Sequence, residues 1–141
     1  MGQAQHLTVP GRFECLSQIA EFVTQAARDA GLGDDDVFHV EMAVDEACSN
    51  VIEHAYAEVS GDIELTCAAP EAGCLEVVIH DHGQPFDPDR IPQPRKGDDV
   101  NLEAMQEGGL GLYFMRKLMD DVRFEFQPGH GNTLTMVKRK K

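Results

Sequence analysis

His39-Val-Glu-Met-Ala-Val-Asp-Glu-Ala-Cys-Ser-Asn-Val-Ile-Glu-His-Ala-Tyr56 is the stretch on which the reading of this chain turns. Val40, Val44, Ala47, Val51 and Ala55 recur at steps of four, three, four and four, the spacing of an amphipathic helix with one buried stripe. Glu46 and Asn50 flank that stripe. Side chains four apart stack on a helix, so a carboxylate and a carboxamide point into the same space at the edge of the core, an arrangement that suits a hard cation and a nucleophile. Taken alone, such a pair is usually just the solvated flank of a core helix, and the neighbouring segments shift the balance.

Upstream, His6-Leu-Thr-Val-Pro10 reads as a short edge strand ended by proline. Phe13 to Ala30 carries apolar residues at helical spacing before Gly31, which predicts a first helix. Asp34 to Asp36 are placed to cap the second helix at its positive end, and that helix is expected to run through Tyr56. Downstream, Ile63, Leu65 and Cys67 alternate with polar neighbours, Pro70 to Gly73 turns the chain, and Leu75 to His80 returns as the second strand of a hairpin. The stretch from Gly83 to Gln106 is rich in Pro, Asp and Gly and lacks periodicity apart from a short turn near Asn101 to Met105, and loops of that length usually carry function. Leu110 to Met119 is helical again. Val122 to Phe126 and Thr133 to Val137 then close the chain as a hairpin around Pro128-Gly-His-Gly131. Hairpins on both sides of a helix predict an α+β fold, a two-layer sandwich with helices on one face of a mixed, mostly antiparallel sheet.

At 141 residues the chain is expected to form one domain spanning residues 1–141, with a core large enough to fold without a staple or a metal. Its formal charge of -13 repels nucleic-acid backbones and anionic membranes, and favours a basic protein partner or a metal-chelated anion. The basic cluster Lys138-Arg-Lys-Lys141 is expected to be solvated. Cys15, Cys48, Cys67 and Cys74 show no C-x-x-C spacing and are read as reduced, although Cys67 and Cys74 are placed to face each other across a hairpin. With no signal peptide or membrane-spanning apolar run, the expected compartment is the cytoplasm. The six histidines lack zinc-site spacings, so no transition-metal site is expected.

Two further segments carry chemistry. Asp81-His-Gly-Gln-Pro-Phe-Asp87 begins where a strand ends: a shielded carboxylate there can accept a hydrogen bond from the exocyclic amine of a base, and Gly83 lets backbone approach the ring. Glu107-Gly-Gly-Leu-Gly-Leu112 opens a helix, whose unpaired amides and dipole suit phosphate oxygens. It is neither a P-loop, since no Gly-Lys-Ser/Thr follows, nor a Rossmann turn, since a loop precedes it. Asn50 offers the hard oxygen that magnesium takes alongside waters and phosphates, and Glu46 one turn away is placed to act as general base.

In this order the three segments resemble the N box and the two glycine boxes of the GHKL superfamily of ATPases and kinases, whose fold is the Bergerat sandwich. Asp45-Glu-Ala-Cys-Ser-Asn-Val-Ile-Glu-His-Ala-Tyr56, Asp81-His-Gly-Gln-Pro-Phe-Asp-Pro88 and Gly108-Gly-Leu-Gly-Leu-Tyr-Phe-Met-Arg-Lys-Leu-Met-Asp120 are most similar to the anti-sigma factor serine/threonine-protein kinases, over nearly the whole chain. The resemblance implies that Glu46 is the catalytic base, Asn50 the Mg2+ ligand, and Asp81 with Gly83 the adenine site. It further implies that Gly109, Leu110, Gly111 and Leu112 line the phosphate end of ATP and that Thr133 lies near the adenine. Pro88 to Glu107 would be a lid over ATP, from which Arg95 and Lys96 reach phosphate, although a solvated loop suits both residues better. The activity implied is phosphorylation of a serine on a STAS-domain anti-sigma factor antagonist, alternating with capture of a sigma factor; family members often form a homodimer, and the sequence does not fix the oligomeric state. The competing reading is a regulatory module that binds nucleotide and sequesters a partner without transferring phosphate.

Overall fold

Alternation of apolar and polar residues builds one five-stranded sheet in the computed structural model, which describes residues 4–57, 59–85 and 109–141. The strands are β1 (Gln5–Pro10), β2 (Asp62–Ala68), β3 (Cys74–Asp81), β4 (Asp121–Gln127) and β5 (Gly131–Arg139). Their order is β1-β2-β3-β5-β4, and every described pairing is antiparallel. Among the described residues the α-helices are α1 (Leu16–Asp29), α2 (Asp34–Asn50) and α3 (Gly109–Leu118); α2 packs between the other two. Helices on one face of an antiparallel sheet are the α+β sandwich that the sequence predicts.

Burial follows the alternation. Ile63 and Leu65 of β2, Val77 and Ile79 of β3 and Leu134 and Met136 of β5 turn towards the helices, where Val23, Val40, Val44 and Ala47 meet them. Removing each large apolar side chain from water contributes roughly 1.5–3 kcal/mol, so this shared layer fixes the register of the strands. The opposite face of the sheet is polar, carrying Glu64, Thr66, Glu76, His80, Thr133 and Thr135.

Four details depart from the sequence reading. The first helix begins as a 3-10 turn over Phe13–Cys15, an ordinary way to start a helix. Gly33, not an aspartate, is the N-cap of α2; Asp34, Asp35 and Asp36 fill the first turn, where the helix dipole favours negative charge. Lys138 is not solvated: at 3% exposure it passes under the helices, donates to the Leu118 carbonyl at the end of α3, and approaches His39 Nδ1 (3.3 Å) and Asp36 (3.9 Å). A buried ammonium survives there because two helices supply it with acceptors and a countercharge. Arg139, Lys140 and Lys141 are exposed, as expected. Finally, Cys67 and Cys74 do not face each other: Cys67 pairs with Val77 and Cys74 with Arg139, and all four thiols are free.

Candidate functional site

The long helix changes character where its chemistry begins. The α-helical part ends at Asn50, and Val51–Ala55 continues as a single wider π turn, with the Tyr56 amide bonded back to the Val51 carbonyl at 2.9 Å. Such turns are frequent at functional sites. What holds this one is tertiary. The Tyr56 ring lies against Gly11 and Gly61, where an added Cβ would come within 2.7 Å of it. Its hydroxyl donates to the Asp62 carbonyl (2.6 Å) and accepts from the His82 amide (2.9 Å). Tyr56 therefore ties the end of the helix to the start of β2 and to the segment just beyond β3. The Ala55 carbonyl, left outside the ordinary helical pattern, accepts the Gln84 amide at 2.8 Å.

Gly83 is a consequence of that closeness. A Cβ there would sit 2.3 Å from the Ala55 oxygen and 2.5 Å from its carbonyl carbon. With no side chain in the way, the Gly83 amide donates to Asp81 Oδ1 at 2.8 Å. Asn132 Nδ2 donates to the same oxygen at 2.9 Å and to the Gln84 carbonyl at 2.7 Å. Asp81, only 3% exposed, is thus gripped through one oxygen by two donors, and no described hydrogen bond uses the other. Gly131, at φ +93°, allows the approach, since a Cβ on it would fall 2.0 Å from the Asp81 carbonyl oxygen.

Between these groups lies a cleft of about 480 Å³ including its mouth, lined by Asn50, Asp81, Asn132 and Thr133 and by an apolar wall that includes Ala47, Ile79, Met115 and Leu134. An apolar slot with one fixed carboxylate accommodates a flat heterocycle bearing an amine. Asn50 is 9% exposed, at the end of α2, and its carboxamide has no hydrogen-bond partner among the described residues, so a hard oxygen is left for a cation. That donor fits magnesium, which takes few protein ligands and completes its shell with waters and phosphate oxygens.

Glu46 stands one turn earlier on α2, half-buried and outside the cleft wall. Burial pushes its carboxyl above the ordinary value of 4.5, and the neighbouring charges of Asp45 and then Glu53 add to this. Burial also drives the Cys48 thiol, on the same helix, up to about 12, with Asp45 and Asp81 contributing, which leaves it a neutral core residue. Gly109, Leu110, Gly111 and Leu112 form the first turn of α3, and Met115, one turn further on, joins the cleft wall. The Pro88 to Glu107 segment, with Arg95 and Lys96, lies outside the described residues.

The structure therefore brings Asn50, Asp81, Gly83 and the β5 segment together. It also adds what the sequence reading missed. Asp81 and Asn132 are register partners on the helix-facing side, whereas Thr133 pairs with His80 on the outer side. The side chain that meets Asp81 belongs to Asn132, and Thr133 borders the cleft from a position whose side chain alternates away. Tyr56 was visible only as the end of a helical stripe. The glycines at 11, 61 and 131 were the signal that something bulky or close had to pass.

The five-stranded antiparallel sheet with helices on one face is the fold of a GHKL-type ATPase domain. A family model described as histidine kinase-like ATPase domain matches residues 9–138, and the chain belongs to that family. Among characterised proteins it is similar to the serine-protein kinases RsbW of Bacillus cereus and of Bacillus thuringiensis, each 31% identical over 134 residues, covering 94% of this chain and 82% of theirs. Among solved structures it is similar to that of the RsbU and RsbW domains of Rv1364c from Mycobacterium tuberculosis, with a TM-score of 0.69 and 20% identity; the match covers 98% of this chain and 32% of that larger one. The histidine kinase domain of a blue-light activated histidine kinase from Erythrobacter litoralis shares the fold at a TM-score of 0.55 and 17% identity, over 88% of this chain and 58% of its own. No described helix is long and apolar enough to cross a membrane.

Proposed function

We propose that the protein is an ATP-dependent protein serine kinase that works as a partner switch, phosphorylating a STAS-domain antagonist on serine and capturing a sigma factor when that antagonist is phosphorylated. The observation that carries the reading is the Asp81 carboxylate, which lines an apolar cleft together with Asn50, is held through one oxygen by Gly83 and Asn132, and has its other oxygen in no described hydrogen bond. Its free oxygen accepts the adenine amine, with Gly83 beside the ring and Thr133 bordering it. The amides opening α3, from Gly109 to Leu112, take phosphate oxygens at the positive end of that helix. Asn50 would hold Mg2+, which would supply charge neutralisation on the phosphates. Glu46 is the base. Its raised proton affinity equips it to take the proton of the incoming serine hydroxyl as the serine oxygen bonds to the γ-phosphorus and the bond to the ADP oxygen breaks. The partner meets an acidic protein, of formal charge -13, so a basic docking face on it speeds encounter.

Purified protein given Mg-ATP and a STAS-domain antagonist should produce phosphoserine on the antagonist, read by mass spectrometry. Glu46→Ala should abolish transfer and leave nucleotide affinity, read by calorimetry, within about threefold, because positioning and binding reside elsewhere in the site. Transfer at near wild-type rate in that variant removes Glu46 from the chemistry. Tight nucleotide binding with no transfer to any antagonist assigns the protein to sequestration instead.

A further inference from the structure

The outer face of the sheet holds a side-chain cluster that the cleft does not use. Glu64 on β2 and His80 on β3 are direct cross-strand partners, and His82 follows two residues later, so that it returns to the same side. Glu64 Oε2 lies 2.8 Å from His80 Nδ1, the two imidazoles stand edge to face with centroids 4.5 Å apart, and one ligand atom from each of the three residues lies within 4.8 Å of the others. His80 Nε2 is 2.6 Å from the His130 carbonyl oxygen. A carbonyl only accepts, so Nε2 carries a proton and donates it. In a neutral ring that leaves the Nδ1 lone pair directed at a carboxylate oxygen, a contact that needs a cation between them, whether a proton or a metal ion. An imidazole whose far nitrogen donates to a backbone carbonyl is also the usual arrangement of a metal-binding histidine, with ring orientation and tautomer already set.

We propose that Glu64, His80 and His82 form a three-ligand site for a divalent transition metal of the zinc class, with its remaining position open to water or to a donor from another molecule. Two imidazole nitrogens and a carboxylate oxygen are donors that zinc accepts, whereas magnesium and calcium call for oxygen throughout. Ligand bonds of about 2.0–2.2 Å place tetrahedral donors roughly 3.3–3.6 Å apart. Glu64 and His80 are already closer than that, and His82 and Glu64, both exposed, have room to rotate inwards from the present limit of 4.8 Å. The sequence reading expected no transition-metal site because the histidines lack zinc-site spacings; the β2–β3 register sets Glu64 opposite His80 across two strands. Occupancy has a structural reach, since His80 and His82 flank Asp81 and the His82 amide is bonded to Tyr56. A bridging ion would stiffen the segment that forms one wall of the cleft.

The test titrates ZnCl2 into nucleotide-free, magnesium-free protein carrying Cys15→Ser, which removes the one thiol that is not buried. Calorimetry should give one zinc per chain, undisturbed by an equal concentration of Mg2+, and zinc should raise the melting temperature. His82→Ala and Glu64→Gln, each checked for unchanged circular dichroism, should weaken binding by more than the roughly tenfold that follows loss of even an outer-shell partner. Nitrogen-detected NMR of the imidazoles in the Cys15→Ser protein, which involves no site variant, should show His80 Nδ1 and a His82 nitrogen shifting together on zinc addition. Absence of saturable binding, full affinity in both variants, or unmoved histidine resonances would overturn the site.

Discussion

Replacing Asp81 with asparagine converts the geometry around that residue into a change of base preference. Oδ1 receives two donors, the Gly83 amide at 2.8 Å and Asn132 Nδ2 at 2.9 Å. An asparagine at position 81 satisfies both only by placing its own oxygen where Oδ1 now lies, which puts its NH2 where Oδ2 was. The fold keeps its hydrogen bonds, while the group at the Oδ2 position changes from acceptor to donor. A hydrogen bond to an ionised group contributes about 1.5–3 kcal/mol, so ADP affinity should fall roughly 10- to 150-fold. Inosine diphosphate, which has a carbonyl where adenosine has the amine, should gain relative to ADP because it now meets a donor. Calorimetry of both nucleotides against both proteins measures the crossed effect, and a thermal melt confirms that the variant is folded. Wild-type ADP affinity in the Asp81→Asn protein, or an equal loss for both bases, would refute the assignment of Asp81 as the base-reading group.

Two further outcomes follow from the same geometry. Gly131→Ala places a Cβ 2.0 Å from the Asp81 carbonyl at a backbone φ of +93°, and the combined backbone strain and overpacking should cost about 2–5 kcal/mol, seen as a lower denaturant midpoint; an unchanged midpoint would mean that β5 yields there without cost. The phosphotransfer rate should fall as pH drops through the raised proton affinity of Glu46, since the base must be ionised, and Asp45→Asn, which removes one of the charges raising it, should move that acid limb of the kcat profile to lower pH; a limb that stays put or moves up contradicts the electrostatic assignment.

How much was legible in the sequence depended on how local the cause was. The α2 stripe, the alternation in the strands and the glycines that open α3 are written in neighbouring residues, because a helix repeats every 3.6 residues and a strand every two. They gave the sandwich and the order of the segments, and they singled out Asn50, Asp81 and Gly83 as candidates. The same local reading erred where the deciding partner is distant. The π turn at Val51–Ala55 is held by Gly11, Gly61 and the segment after β3, and the apolar stripe alone continues smoothly to Tyr56. Lys138 looks like one residue of a basic tail until α2 and α3 are set over it. Adjacent residues such as Asn132 and Thr133 differ only in which face of β5 they occupy, and that is read from the pairing of Asp81 with Asn132.

By itself the sequence determined which segments are helix and strand, and which residue types are available to meet a nucleotide, since both follow from short-range periodicity and side-chain chemistry. Only the tertiary structure decided which of those residues touch. The β2–β3–β5 neighbourhood joins residues about 50 positions apart, setting Asn132 on Asp81 and His130 on His80 while bringing Glu64 against that same histidine. Strand register, fixed by burying one face of the sheet across the whole core, is a property of the folded chain and of no single stretch within it.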